Sequence, residues 1–542
     1  MQHSDHGRHL NMTDITDIAT RSLEQLLEQD FGTIPALIRC QAAIQPDHAA
    51  LVQDDRTINY GELDALMDRV AASLQRDGVA PCESIAVCAG TSIDYAVVFL
   101  GALRAGVAVA PLAPSSTAES LVAMINDCGA RLLFLDASTA ATLSPVLARI
   151  AASRVALDNS DAGEPWNAWL AVHGTTPQPV EAQPAWAFNI IYSSGTTGTP
   201  KGIAQPNSMR WLHVQRGNLN GYGPQAVTLL STPLYSNTTL VAFFPTIALG
   251  GTVVLMAKFD VVGYLGLAER HHVTHSMLVP VQYQRVMANP DFGRYDLSSF
   301  HMKFSTSAPF NAALKADILA RWPGGLTEYY GMTEGGGTLM LAAHEHPDKL
   351  HTVGLPAPGH DIRLIDEEGR EVPIGQTGEV VGHSGAMMTG YFNQPEKTAE
   401  AEWFDTTGKR FIRTGDLGRF DEDGFLTLLD RKKDMIISGG FNVYPSDLEG
   451  VLQEHPGVAE AAVVGVPSVA WGETPIAFVV ARPGVAVVAA DLQAWANSRV
   501  GKTQRLTAVE LVESLPRSAI GKVLKRELRD DYRGRHPKET GL

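Results

Sequence analysis

Cysteine is nearly missing from this chain. Four occur in 542 residues, Cys40, Cys82, Cys88 and Cys128, and no two form a CxxC pair. That excludes a disulfide framework. The four are expected to be small buried hydrophobes in a reducing cytosol. Basic charge is also short. Lys and Arg number 43 against 59 Asp and Glu, a formal net charge of −16. A nucleic-acid binder needs a basic face, so no nucleic-acid partner is expected. Long apolar runs are lacking too. Residues 240–257, LVAFFPTIALGGTVVLMA, carry no charge and approach the ~20 residues of a membrane span. Pro245 and Gly250–Gly251 divide them, and TVVLMA is short and β-branched. The expectation is helix, turn and strand, with no transmembrane segment. MQHSDHGRHLNMTD at the start has no apolar core and is not a signal peptide. It reads as disordered or as preceding a start at Met12. Internal repeats and low-complexity tracts are absent, and the location expected is cytoplasmic.

What is present is ordinary globular composition, 45% hydrophobic and 19% charged. At ~150 residues per domain the length allows three or four units. Residues 60–135 alternate helical and strand patterns: YGELDALMDRVAASLQRDG, SIAVCAG, DYAVVFLGALRAG, VAVAPLA, SLVAMINDCGA, RLLFLD. The rhythm returns after 225. It predicts an α/β fold with parallel or mixed sheets. From about 351 short alternating runs (HDIRLIDEEGREV, GEVVGHSG, GFLTLLDR) predict a β-rich subdomain. After 433 an α/β texture resumes.

Residues 193–202 read SSGTTGTPKG after the apolar run AWAFNIIY. Alone, this loop reads as a solvated linker or as a cradle presenting backbone N–H groups, hydroxyls and one ammonium to phosphate. It is not a P-loop, because Lys201 follows Pro200 and precedes Gly202. GKT at 501–503 fails as well: position 496 is alanine where that motif needs glycine.

Four further segments accompany the loop in order: TEYYGMTEGGG (327–337), GYFNQPEKTAE (390–400), 412–449 around IRTGDLGRF and LLDRKKDMIISGGFN, and LPRSAIGKVLKREL (515–528). Together they resemble the adenylate-forming superfamily, in its acyl-CoA synthetase and aryl-CoA ligase (4-coumarate–CoA ligase-like) branch. The resemblance spans about residues 40–530. It implies a large N-terminal domain of α/β sheets (1–432, with the β-rich part at about 351–432) and a small mobile C-terminal α+β domain (433–542). It also implies a two-step reaction. A carboxylate attacks the α-phosphate of ATP to give acyl-AMP and pyrophosphate, and the thiol of coenzyme A then takes the acyl group. ATP, Mg²⁺ and coenzyme A are the implied cofactors, a small carboxylic acid is the implied substrate, and a homodimer is left open.

The resemblance also implies roles. Ser193, Ser194, Gly195, Thr196, Thr197, Gly198 and Lys201 would hold polyphosphate. Tyr330 would stack on adenine, with Ala308 and Pro309 on its other face and Gly331 and Met332 alongside. Thr333 would lie near the α-phosphate. Glu334, with Thr197, would hold Mg²⁺, which favours one or two carboxylates plus phosphates and water. Asp416 would accept both ribose hydroxyls and Arg431 would contact ribose and phosphate. Lys433 would be the hinge, and Gly439 and Gly440 would line the pantetheine tunnel. Lys522 would bring an ammonium to the charge that builds during adenylation. A core role for Tyr330, a solvated Glu334, and a basic helix face shared with Lys525, Arg526 and Arg529 are the plainer alternatives.

The acyl pocket would be lined by Tyr235, Ser236, Asn237, Thr238, Ala308, Gly335, Gly336, Gly337 and Leu339. Ser236 departs from the family's histidine or aromatic gate. No Asp stands there to hold an α-ammonium. These neutral residues predict a neutral-tailed acid, aromatic or arylalkenoic first and medium-chain second, with the glycine triplet giving room. The competing readings are a ligase loading a carrier-protein thiol, a binding protein that has lost catalysis, and a luciferase-like oxidase.

Overall fold

The computed structural model describes residues 23–193, 201–431, 433–438, 441–468, 471–518 and 521–536. Four sheets organise the described residues. The first runs in spatial order Gly390–Tyr391, Lys201–Pro206, Ala187–Ser193, Ala108–Pro111, Ser84–Cys88, Leu132–Leu135, Ser153–Ala156, Glu164–Pro165. The second holds nine strands, from Leu355–Pro356 and Leu339–Ala342 through Gly325–Tyr330, Met302–Ser305, His275–Leu278, Val227–Leu230 and Thr252–Leu255 to Ala49–Gln53 and Arg56–Asn59. In both, the inner strands pair in parallel; the second sheet has antiparallel strands at both edges, while the first is antiparallel at its Gly390–Tyr391 end and parallel at its Glu164–Pro165 end. This is the α/β alternation expected from the sequence, since parallel neighbours need helical crossovers.

The helices Ile93–Arg104 and Asn237–Ala248 are apolar nearly all round, so they are buried on every side. One core joins them to Ile85, Val87 and Val109 of the first sheet and to Leu230, Val253 and Met277 of the second. The two sheets therefore share a helical layer. The uncharged run at 240–257 is a helix through Ala248, a turn at Gly250, and the strand Thr252–Leu255. Pro245 lies inside that helix. No helix of the described residues is long and apolar enough to cross a membrane.

The third sheet is antiparallel and comprises Asp361–Ile365, Gly378–His383, Arg410–Phe420, Glu402–Phe404 and Leu426–Arg431. Leu355–Pro356, placed by sequence in the β-rich stretch, still belongs to the nine-stranded sheet. The fourth sheet is built from Ile436–Ser438, Phe441–Val443, Gly472–Ala481, Val458–Ser468 and Ala508–Leu511. Pro445–Gln453 and Ala489–Asn497 pack on it around Leu448, Leu452, Leu492 and Ala496. The rejected GKT lies after the second of these, in a short 3₁₀ turn.

One cysteine departs from expectation. Cys40, Cys88 and Cys128 are buried, but Cys82 is exposed in a turn at φ +68°.

Candidate active site

A cavity of about 1190 Å³ opens where the first three sheets meet the C-terminal unit. Thr333, Glu334, Asp416, Arg431, Lys433, Lys201 and Lys522 all line it. They come from segments more than 300 residues apart in the chain.

Tyr330 ends the strand Gly325–Tyr330, and it is not on the cavity wall, where its neighbours Tyr329 and Gly331 are. The Tyr330 hydroxyl donates to Asp416 Oδ2 at 2.7 Å. Asp416 and Arg431 are register partners in adjacent antiparallel strands, and Arg431 Nε lies 3.2 Å from Asp416 Oδ1. Cross-strand pairing thus presets the ion pair expected to meet ribose. Glu334 accepts a hydrogen bond from the Tyr391 hydroxyl at 2.9 Å, and the Lys201 ammonium lies 5.0 Å from the centre of the Tyr391 ring. Tyr391 belongs to the GYFNQPEKTAE segment, for which no role could be read from sequence. Its strand pairs with Lys201–Pro206, so it bridges the carboxylate and the ammonium. A lone carboxylate open to the cavity suits Mg²⁺ when nucleotide phosphates supply the remaining oxygens. No cluster of three His, Cys, Asp or Glu that could hold a metal ion occurs among the described residues.

Lys522 reaches this cavity from a tight hairpin. Ser518 N donates to Lys522 O at 2.8 Å and Gly521 N to Ser518 O at 2.8 Å, while Arg517 and Val523 form a bridge. Gly521 sits at φ +76° against Val281 and Val279 of the large unit. A second contact between the units runs from Asn311 Nδ2 to Gln453 Oε1 at 3.1 Å. Burial first, and then Arg431 and Lys433, bring the Lys522 pKa down to about 8 against the opposing pull of Asp416 and Asp434. A charged ammonium is the form that stabilises a phosphoryl transition state. On the adenylation role that the resemblance implies for Lys522, kcat/KM, which reports the free enzyme, is expected to fall as pH rises through about 8. Lys522→Arg should abolish that alkaline limb, because guanidinium stays protonated. A pH profile of pyrophosphate release checks this, and an unchanged limb in Lys522→Arg contradicts it.

The expected acyl-pocket residues divide. Tyr235, Ser236, Asn237, Thr238 and Gly335 line the cavity, as do Gly331 and Met332. Leu339, Gly336 and Gly337 do not line it. Leu339 is fully buried among Val353, Leu364, Val380 and Leu426. A Cβ on Gly337 would fall 1.8 Å from Ile362 Cδ1, and one on Gly336 would fall 2.8 Å from Gly382 O. The triplet lets the third sheet approach closely rather than making room for a tail. Ala308 and Pro309 are also off the wall: Thr306 and Ser307, just before them, line it instead. Ser307 holds φ +81° and its hydroxyl lies 2.6 Å from that of Thr238. Ser193 is described in backbone only, paired with Lys201. Ser194, Gly195, Thr196, Thr197 and Gly198, and likewise Gly439 and Gly440, lie outside the described residues.

Sequence reading missed a buried polar network beneath Thr333. Arg210 is 1% exposed, and its guanidinium donates to Gln205 Oε1 and, at 2.7 Å, to Asn237 Oδ1. Gln205 Nε2 in turn donates to the Thr333 carbonyl at 2.6 Å. Burial lowers the Arg210 pKa to about 9, so the group stays charged at neutral pH. Sequence reading also missed Arg216, His213 and His360 on the cavity wall. The expected uncharged wall therefore holds around Tyr235–Thr238 and fails beside Arg216. No signal marked these residues, because they are isolated polar positions on a helix and in two loops.

The chain matches the model of the AMP-binding enzymes over residues 38–392 and that of the AMP-binding enzyme C-terminal domain over 447–522. It is 32% identical to the fatty acid–[acyl-carrier-protein] ligase ScoC of Streptomyces coeruleorubidus, across 94% of this chain and 99% of that one. It is 32% identical to a feruloyl-CoA synthase of an Amycolatopsis species, across 90% and 97%. The ATP-bound crystal structure of MatB from Rhodopseudomonas palustris superposes with a TM-score of 0.83 at 29% identity, across 92% and 99%. The ordered motifs, the two-unit α/β fold and these matches agree: the chain belongs to the AMP-binding enzyme family, in its branch of AMP-forming acyl- and aryl-CoA ligases.

Proposed function

We propose that this chain activates a carboxylic acid with ATP and Mg²⁺ as acyl-AMP and passes the acyl group to coenzyme A. One observation carries the reading. Lys522 of the C-terminal hairpin shares a cavity with Asp416, Arg431, Thr333 and Glu334 of the large unit. An anionic nucleotide and a carboxylate can meet there only beside preplaced positive charge, and Lys522 and Lys201 supply it. Glu334, and Thr197 outside the described residues, would hold the metal with the phosphates. Lys433 would be the hinge between units 1–432 and 433–542, and the turn at Gly439–Gly440 would admit pantetheine.

The cavity is also lined by Val241, Pro245, Met277, Met302, Phe304 and Tyr329. Apolar and aromatic lining fits an aromatic, arylalkenoic or medium-chain acyl body. A panel of such acids is expected to release pyrophosphate and AMP in proportion to acyl-CoA formed. Preference for amino acids, or no acid-dependent AMP, would remove the reading. A carrier-protein thiol is the second acceptor to test, favoured by the name of the Streptomyces relative. Saturable thioester formation with free coenzyme A decides for coenzyme A; acyl transfer only to a phosphopantetheinylated carrier protein decides against it.

A further inference from the structure

The cavity has a second polar end that the acid-activating reading does not use. Asn237 starts the helix Asn237–Ala248 and, through Gln205 and Arg210, belongs to the network under Thr333. The other end of the same helix packs on Gly217: a Cβ there would lie 2.6 Å from Leu249 Cδ1 and 3.1 Å from Pro245 Cβ. At 1.5 Å per residue the helix separates the two ends by roughly 15–18 Å. Arg216 precedes Gly217 and lines the cavity with His213, Asn220 and His360.

The hydrogen bonds at this end do not close. The Thr338 backbone N–H donates to His360 Nδ1 at 2.8 Å, so Nδ1 carries a lone pair. A neutral ring must then carry its proton on Nε2. Nε2 faces Arg216 Nη1 within hydrogen-bonding distance. Guanidinium only donates. Two donors therefore point at one another with no acceptor to receive either. Among the described residues no carboxylate pairs with Arg216, and His213 Nδ1, shielded from water, has no partner there. Protonating the histidines would worsen the arrangement. Burial and neighbouring Arg216 hold His360 down to about 4, and burial with Arg210 and Arg216 holds His213 down to about 3. Arg216 and His360 are half-buried on the cavity wall, where water can reach them; a ligand tail that displaces this water leaves the donors unpaired unless it supplies the acceptor itself.

We propose that Arg216, His360 and His213 form a subsite for an oxygen acceptor at the far end of the substrate's acyl group. The substrate class is then an acid with an apolar body and a distal carboxylate, carbonyl or hydroxyl oxygen. This rests on the acid-activating reading, because it takes the reacting carboxylate to lie at the Thr333 end. One acceptor oxygen can take Arg216 Nη1–H and His360 Nε2–H together. Such charge-assisted bonds select strongly, because an acid lacking the oxygen leaves both donors unpaired.

The test uses binding, so it does not depend on turnover. Three acyl-sulfamoyl adenosines are titrated calorimetrically into the full chain: 3-phenylpropanoyl, 3-(4-hydroxyphenyl)propanoyl and 3-(4-carboxyphenyl)propanoyl. The better of the two oxygen-bearing tails is expected to bind about 10- to 100-fold more tightly than the bare ring. Which of them leads tells a neutral oxygen from an anionic one. Arg216→Met should bring the ratio to within about threefold of one, and Arg216→Lys should restore part of it. The phenylpropanoyl compound and the melting temperature report whether the variants keep the fold. A wild-type ratio near one overturns the proposal whatever the variants do, and an unchanged ratio in a folded Arg216→Met overturns the assignment. If the ratio holds while no acid yields AMP, the subsite stands and the ligase reading fails.

Discussion

Replacing Lys522 with alanine is expected to slow acyl-AMP formation by about 10²–10³-fold, the usual cost of removing one preplaced donor from a developing charge. Thioester formation from supplied acyl-AMP should be spared. The hairpin that holds Lys522 is fixed by backbone bonds between Ser518, Gly521 and Lys522, so truncating the side chain leaves the loop in place. Among the described residues no carboxylate forms an ion pair with the ammonium that would be stranded: Arg431 and Lys433 repel it, while Asp416 and Asp434 attract it from within the same cluster. Only the step that needs positive charge at the α-phosphate should suffer. Single-turnover kinetics of the two half-reactions separate the outcomes. Equal loss in both would show that Lys522 supports the closed arrangement of the units rather than adenylation.

Gly335→Val should abolish both half-reactions and lower the melting temperature. Gly335 holds φ +76°, and a Cβ there would lie 2.1 Å from Ala386 O and 3.0 Å from Met387 Cα. Gly335 and Met387 are bridge partners, and Met388 N donates to the Glu334 carbonyl at 2.8 Å. The overlap is with backbone, which cannot rotate aside. Relief would displace Glu334, and with it the contact to Tyr391. The backbone strain of a β-branched residue at positive φ adds about 1–3 kcal/mol. Gly408→Val is the matched control: φ is +83°, yet nothing lies within 4 Å of the added Cβ. It should lose stability and keep activity. An active Gly335→Val would refute the close packing of Ala386 and Met387 on the TEGGG segment.

The motif glycines show what sequence could and could not say. That TEGGG needs three glycines is visible in the sequence, but whether they open space or close it depends on what sits opposite. Opposite them are Ile362, Gly382 and Ala386, residues 25–51 positions downstream. Tyr391 was legible as part of a motif and gained a role only when its strand paired with Lys201–Pro206. Arg216 and His360 are 144 residues apart and carry no local pattern. Their facing donors exist only after folding.

The chain by itself determined its elements, their α/β order and its family, and it singled out the residues proposed to carry charge to the nucleotide. Those follow from periodicity, turn chemistry and short motifs, all local properties. Tertiary structure alone decided which of these groups share a cavity, which glycines pack backbone on backbone, and where a half-buried guanidinium faces another donor rather than an acceptor. Such facts are set by long-range sheet pairing and by the loss of water around groups that were solvated in the unfolded chain, and neither is written in any one stretch of sequence.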